Sequence, residues 1–170
     1  AHLLWIGERT RAPARAHVEF FAGVQNPLAC KFGPRTRPED LVALCERLDP
    51  GRDPGRLTLI SRLGMDRVED VLPPLIRAVS AAGFPVVWAC DPMHGNGVVT
   101  ADGIKTRRFD DIMSELTAFF SVCRGEGAWP GGVHLEFTGD DVTECVGGVE
   151  PVHECDLGVR YSSLVDPRLN

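Results

Sequence analysis

The sequence predicts an α/β fold with parallel strands. Short apolar runs alternate with helix-patterned segments, and the joints between them are short. Five runs read as buried strands: Leu3–Ile6, Leu28–Phe32, Leu57–Ser61, Val86–Cys90 and Val133–Phe137, with a weaker sixth at Ser163–Val165. Between them, Leu41, Leu44, Cys45 and Leu48 recur at helical spacing after Pro38-Glu39-Asp40, a favourable helix start. Val68, Val71, Leu72, Leu75, Ile76 and Val79 do the same, with Pro73-Pro74 expected to reset that helix at its first turn. Phe109, Ile112, Met113, Leu116, Phe119, Phe120 and Cys123 hold 3–4 spacing over four turns.

Two architectures fit this alternation. At 170 residues, the chain is shorter than the ~200 residues a closed (β/α)8 barrel needs, which favours an open doubly wound sheet. No glycine-rich phosphate turn follows the first strand, however, which counts against the open sheet. Length favours one and residue chemistry the other.

Composition narrows the partners. Net charge is −6 and no dense Lys/Arg block occurs, which excludes nucleic acid and anionic membrane as the main partner. No apolar run approaches the ~20 residues of a membrane span. The start, Ala1-His2-Leu3-Leu4-Trp5-Ile6-Gly7, is unlike a signal peptide and reads as a chain beginning in mid-fold. Six cysteines without a CxxC pair lie in apolar patterns, as expected of free thiols in a reducing cytoplasm.

The chemistry sits where the strands end, the side on which β/α barrels build their active sites. The first strand delivers Glu8-Arg9, the second Lys31, the third Arg62, the fourth Asp91-Pro92-Met93-His94-Gly95-Asn96, the fifth Glu136 and the sixth Asp166. Arg9, Lys31 and Arg62 are suited to converge on a small polyanion, because guanidinium forks grip phosphate or carboxylate. One such cation is commonly a surface ion-pair partner; three on successive strands make a cradle. His94, Glu136 and Asp166 form a mixed N/O ligand set for Mn²⁺, Fe²⁺, Co²⁺ or Zn²⁺. His134 is a rival ligand, two residues before Glu136 and on the same strand face, but is expected to pack deeper. Cys90 lies four residues before His94, ~13 Å along an extended strand, too far to share an ion.

Taken together, Trp5-Ile6-Gly7-Glu8-Arg9-Thr10-Arg11, Lys31-Phe32-Gly33-Pro34, Gly55-Arg56-Leu57-Thr58-Leu59-Ile60-Ser61-Arg62, Asp91-Pro92-Met93-His94-Gly95-Asn96, Lys105-Thr106-Arg107, Thr143-Glu144-Cys145 and Asp166-Pro167-Arg168-Leu169-Asn170 resemble the class II (plant and microbial) 3-deoxy-D-arabino-heptulosonate 7-phosphate (DAHP) synthases. The resemblance runs the length of the chain. It implies a (β/α)8 TIM barrel of which about the last six β/α units are present, with the first two units and the closing helix absent. It implies a transferase of the shikimate pathway of aromatic amino-acid biosynthesis, joining phosphoenolpyruvate to erythrose 4-phosphate. It also implies a divalent metal, Mn²⁺ foremost, held by His94, Glu136 and Asp166. Phosphoenolpyruvate contacts are implied from Glu8, Arg9, Lys31 and Arg62, catalytic roles for Lys31, Glu8 and His94, and a place for Lys105 by the second substrate. A cytoplasmic homo-oligomer is implied for the full-length chain. The family's cysteine metal ligand, its carboxylate-binding arginine and its second-substrate phosphate segment have no counterpart here, so this stretch alone is expected to be inactive. Three alternatives stand beside the main reading: a phenazine or amino-DAHP synthase-type paralogue, a non-catalytic remnant or partner protein of the same fold, and a generic metal aldolase.

Overall fold

The computed structural model describes residues 1–170. Its strands are β1 (Leu4–Ile6), β2 (Leu28–Phe32), β3 (Leu57–Ser61), β4 (Val87–Cys90), β5 (Gly97–Val99), β6 (Lys105–Arg107) and β7 (Pro130–Val133). The α-helices are α1 (Ala16–Ala22), α2 (Pro38–Leu48), α3 (Val68–Ala81) and α4 (Phe109–Gly125). Five strands form one parallel sheet in the order β1-β2-β3-β4-β7, while β5 and β6 form a separate antiparallel hairpin. Each sheet strand therefore pairs with the next one in the chain, without the order reversal that defines a doubly wound sheet.

The helices pack side by side, α1 on α2, α2 on α3 and α3 on α4, and the strand pattern shows what they cover. Leu28, Cys30 and Phe32, with Leu57 and Leu59, and Trp88 and Cys90, join the helices' apolar stripes in one 22-residue core. The alternate residues, Ala29, Ile60 and Ala89, form a small cluster on the opposite face, which is also the face of Lys31 by the period-2 rule. That face curls inward. A flat five-stranded sheet would hold its edge strands about 19 Å apart. Yet Trp5 of β1 and His134, just past β7, meet with ring centroids 5.2 Å apart. Sequential parallel order and strong curl are consistent with an arc of a (β/α) barrel.

Three sequence expectations need correction. The fifth strand was expected at Val133–Phe137 but lies at Pro130–Val133. Its only neighbour, β4, turns away at Asp91-Pro92, so the ladder ends after His134 donates to the Cys90 carbonyl at 2.7 Å. Ser163–Val165 is no strand. The sixth pairing shrinks to one parallel bridge between Phe137 and Leu169, because Ser163 turns back on itself, its hydroxyl donating to the Asp166 carbonyl at 2.7 Å. Finally, α3 runs unbroken through Pro73-Pro74. The carbonyls left without intrahelical donors belong to Glu69 and Asp70, both exposed residues, where two lost bonds cost least.

The β5–β6 hairpin and α1 were not anticipated. The hairpin carries a recognisable signal in Asp102-Gly103, where Gly103 takes φ +81°. It sits in the connection from β4 to α4, on the side where the strands end.

Candidate metal centre and anion cradle

Asp91 is the hub of the site. It follows β4 directly, is fully buried, and accepts a hydrogen bond from Lys31 Nζ at 2.6 Å. The same carboxylate faces His94 Nδ1 at 2.8 and 3.0 Å and receives the backbone N–H of Met93 and of His94. Burial works against its charge, but the hydrogen bonds from His94 and Lys31 and the nearby Lys31 charge outweigh it and hold the carboxyl well below its usual range. An ionised Asp91 only accepts, so His94 carries its proton on Nδ1. The Nε2 lone pair then points away from Asp91 and lies 3.6 Å from Glu136 Oε2. A carboxylate–histidine pair of this kind is how ligating imidazoles are oriented.

His94, Glu136 and Asp166 each offer one ligand atom, and these atoms all lie within 4.8 Å of one another. The 3.6 Å between His94 and Glu136 is too long for a direct hydrogen bond. It suits two donors each ~2.0–2.2 Å from one ion. Glu136 Oε2 is buried without a hydrogen-bond donor; Arg107 lies 3.1 Å away, within ion-pairing distance but misaligned for a hydrogen bond. Lys105, two residues before Arg107 on β6, lies 3.8 Å from Asp166. Imidazole plus two carboxylates, one with an orphaned oxygen, is a donor set that fits a borderline divalent cation.

The cations are placed less uniformly. Lys31 lies within β2 and is tied to Asp91. Arg62, just after β3, donates to the His94 carbonyl at 2.8 Å and stands 3.6 Å from Glu8. Its Nε is buried without an acceptor. Glu8 and Arg9 lie on a single 3-10 turn, Glu8–Thr10, with Glu8 half-buried and Arg9 exposed. Glu8 thus serves as counter-charge to Arg62, and Arg9 stands apart from both. His134 stacks edge-on with Trp5 rather than joining the triad, and burial, with Lys31 nearby, lowers its pKa. Cys90 faces the helix-side core, where burial raises its thiol pKa strongly. All six cysteines are free, and five are buried.

Glu115 had no part in the sequence reading, while Asn96 and Glu144 entered it only within the motifs that carry the resemblance, with no role assigned. Glu115 lies on the buried face of α4 with Ile112, Phe119 and Cys123. It accepts from the Leu63 N–H at 2.9 Å and from Asn96 Nδ2 at 2.7 Å, joining the loops that carry Arg62 and His94. Burial pushes its pKa up. The two loops touch so closely that a Cβ on Gly95 would fall 2.4 Å from the Gly64 nitrogen. Glu144 is fully buried and accepts from the N–H groups of Ser162, Ser163 and Arg168 and from the Arg168 guanidinium at 2.7 and 3.0 Å. It thereby closes the loop that presents Asp166. A carboxylate in register with an apolar helix stripe was the available signal for Glu115; Glu144 was marked only by the resemblance of Thr143-Glu144-Cys145.

The whole chain, residues 1–170, matches the model of the class-II DAHP synthetase family. It is 52% identical over 169 residues to a phospho-2-dehydro-3-deoxyheptonate aldolase of Streptomyces coelicolor, covering 99% of this chain and 38% of that protein. To the enzyme of the same name in Mycolicibacterium smegmatis it is 52% identical over 170 residues, covering 100% of this chain and 37% of the relative. The Neurospora crassa enzyme is 50% identical over 172 residues, 100% of this chain and 36% of the relative. The chain thus spans less than two fifths of the length of the curated relatives it matches. No helix is long and apolar enough to cross a membrane. With strands in sequential parallel order and a histidine–carboxylate cluster at their ends, the chain belongs to the class-II DAHP synthetase family.

Proposed function

We propose that this chain carries the condensation site of a DAHP synthase, the cytoplasmic enzyme that joins phosphoenolpyruvate to erythrose 4-phosphate and releases phosphate. In this reading the curled sheet is an arc of a (β/α)8 barrel and the working enzyme is a homo-oligomer. The observation that carries it is the convergence of His94, Glu136 and Asp166 within 4.8 Å, with a buried orphan oxygen on Glu136. These three residues would hold Mn²⁺ or, in its place, Co²⁺, Fe²⁺ or Zn²⁺. When bound, the ion supplies a Lewis acid for the carbonyl of the second substrate.

The chain's own residues do the rest. Arg62 presents a guanidinium fork to the phosphate or carboxylate of phosphoenolpyruvate. Lys31 adds a cation on the same face, and Arg9, exposed on the first turn, would join the cradle by swinging toward it. Glu8, now paired with Arg62, yields its place to the incoming anion or orients water. Asp91 bridges Lys31 and His94, so the anion cradle and the metal ligand share one anchor. Lys105, exposed beside Asp166, is placed for the second substrate's phosphate.

The test is consumption of phosphoenolpyruvate by the full-length protein with erythrose 4-phosphate and Mn²⁺, alongside calorimetric titration with phosphoenolpyruvate. His94→Ala should abolish metal-dependent turnover. Arg62→Ala should weaken phosphoenolpyruvate binding roughly tenfold to a hundredfold, since a charge-assisted hydrogen bond contributes ~1.5–3 kcal/mol. Arg62→Lys should recover only part of it. Unchanged affinity in Arg62→Ala would refute the cradle.

A further inference from the structure

Arg107 is the only buried arginine, 2% exposed. Taking a guanidinium out of water is costly unless its donors are satisfied by well-placed acceptors. Here each acceptor belongs to a segment that carries one member of the triad. Arg107 Nε donates to the Met93 carbonyl at 2.7 Å, and Met93 immediately precedes His94. Its NH1 donates to the carbonyl of Pro167, which immediately follows Asp166. The same NH1 ion-pairs with the Glu136 carboxylate at 3.1 Å. The three segments come from distant parts of the chain, and no other side chain touches all of them in this way. The neighbouring Thr106 faces the other side of β6 and donates to the Glu144 carbonyl at 2.9 Å, fixing the strand from which Arg107 reaches.

We propose that Arg107 is the positioning residue of the metal triad, acting through Glu136 and the two carbonyls rather than on metal or substrate. The proposal rests on the reading of His94, Glu136 and Asp166 as ligands. Charge and geometry give opposite expectations. A fixed cation repels a divalent ion, so if charge were its only effect, removing it would tighten metal binding. If Arg107 sets the triad's geometry, removing it loosens binding, and a lysine that keeps the charge but loses the fork fails to restore it.

The experiment is calorimetric titration of metal-free protein with MnCl2 for the wild type, Arg107→Lys and Arg107→Gln. Thermal unfolding of each metal-free protein is followed in parallel. Both variants should bind Mn²⁺ about 10–100-fold more weakly, the usual loss when a residue supporting a ligand is removed. Hydrogen exchange should rise at 93–96 and 166–169 while β1–β4 stay protected. Arg107→Lys is the variant that preserves buried charge and volume, and it decides the matter if Arg107→Gln does not fold. A variant with a lowered melting midpoint but unchanged Mn²⁺ affinity would overturn the proposal, as would tighter binding by Arg107→Gln. A wild type that binds no Mn²⁺ would overturn the metal reading itself, and this inference with it.

Discussion

From Leu4 to Val133 and from His134 to Asn170 the chain is held together by different means. In the first stretch, four of the five sheet strands and four helices bury one 22-residue apolar cluster, and no residue beyond Cys123 belongs to it. In the second stretch the regular structure is a single 3-10 turn, Glu154–Asp156, and order comes from isolated bridges and buried polar groups. Its buried apolar residues are Val142, Cys145, Leu157 and Pro167, while Val149, Leu164 and Val165 are almost wholly or largely exposed. His94 comes from the first stretch, Glu136 and Asp166 from the second. A scaffold with a deep core thus supplies one member of the cluster, and a polar clasp brings the other two to it.

The strongest way to break this contrast is to cut the clasp. Removing one partner of a buried charged network costs about 3–5 kcal/mol. Glu144→Ala should cost that much, concentrated in the second stretch. Hydrogen exchange should show residues 162–168 losing protection while β1–β4 keep theirs. Equal loss in both stretches would mean that they form one cooperative unit.

Acid should do the same more gently, since protonation keeps the Glu144 side chain in place. Hydrogen bonds from Arg168 and from the Ser162, Ser163 and Arg168 N–H groups outweigh burial and hold its pKa at about 2, against an ordinary 4.5. A depressed folded-state pKa gives stability that is fully present above the unfolded value and fades as pH falls from about 4.5 towards about 2. Asp91 shifts the same way. Protection factors at 162–168, taken relative to the intrinsic exchange rate at each pH, should therefore fall on acidification before the helices melt, as judged by far-ultraviolet circular dichroism.

A second variant probes the first stretch at its most crowded point. In Gly95→Ala the new Cβ would meet the Gly64 backbone at 2.4 Å, and backbone cannot rotate away. Overpacking of this kind costs roughly 1–3 kcal/mol. The midpoint of denaturant unfolding should fall accordingly, and Arg62 should lose its bond to the His94 carbonyl.

The same contrast explains how much could be read from the sequence. Leu41, Leu44, Cys45 and Leu48 announce α2 because burial and helical period coincide, and Leu57–Ser61 announces β3 for the same reason with period 2. His94, Glu136 and Asp166 were legible as types of residue following apolar runs. Their grouping as one ligand set was legible from the strand ends; what enforces it was not, because it depends on Glu144 reaching Ser162 and Arg168 across about twenty residues with no periodic mark. Arg107 was hidden for a related reason: a lone arginine in a three-residue strand gives no hint that it is buried. The misplaced strand at Val133–Phe137 came from reading its apolar run as a buried, paired strand. Exposure does alternate there, through Thr138, but only one neighbour strand exists and it ends at Cys90.

That misreading leads to the smallest expected effect. Val133 registers with Cys90 and so points to the helix side of β7, yet it is 46% exposed, and Leu135 and Phe137 continue the strip at 38% and 69%. The bridge between Phe137 and Leu169 is made by backbone alone, with Thr138 N–H on the Leu169 carbonyl and Leu169 N–H on that of Glu136. Phe137→Ser leaves both bonds in place and removes a side chain that is already largely in water. Its cost should stay within about 0.5 kcal/mol, the range of ordinary surface substitutions. Because an uncovered apolar strip favours association, the variant should also sediment more nearly as a monomer than the wild type at equal concentration. A loss above about 2 kcal/mol, in the range of core truncations, would show that Phe137 packs into a core of its own, and the second stretch would then share the first one's means of support.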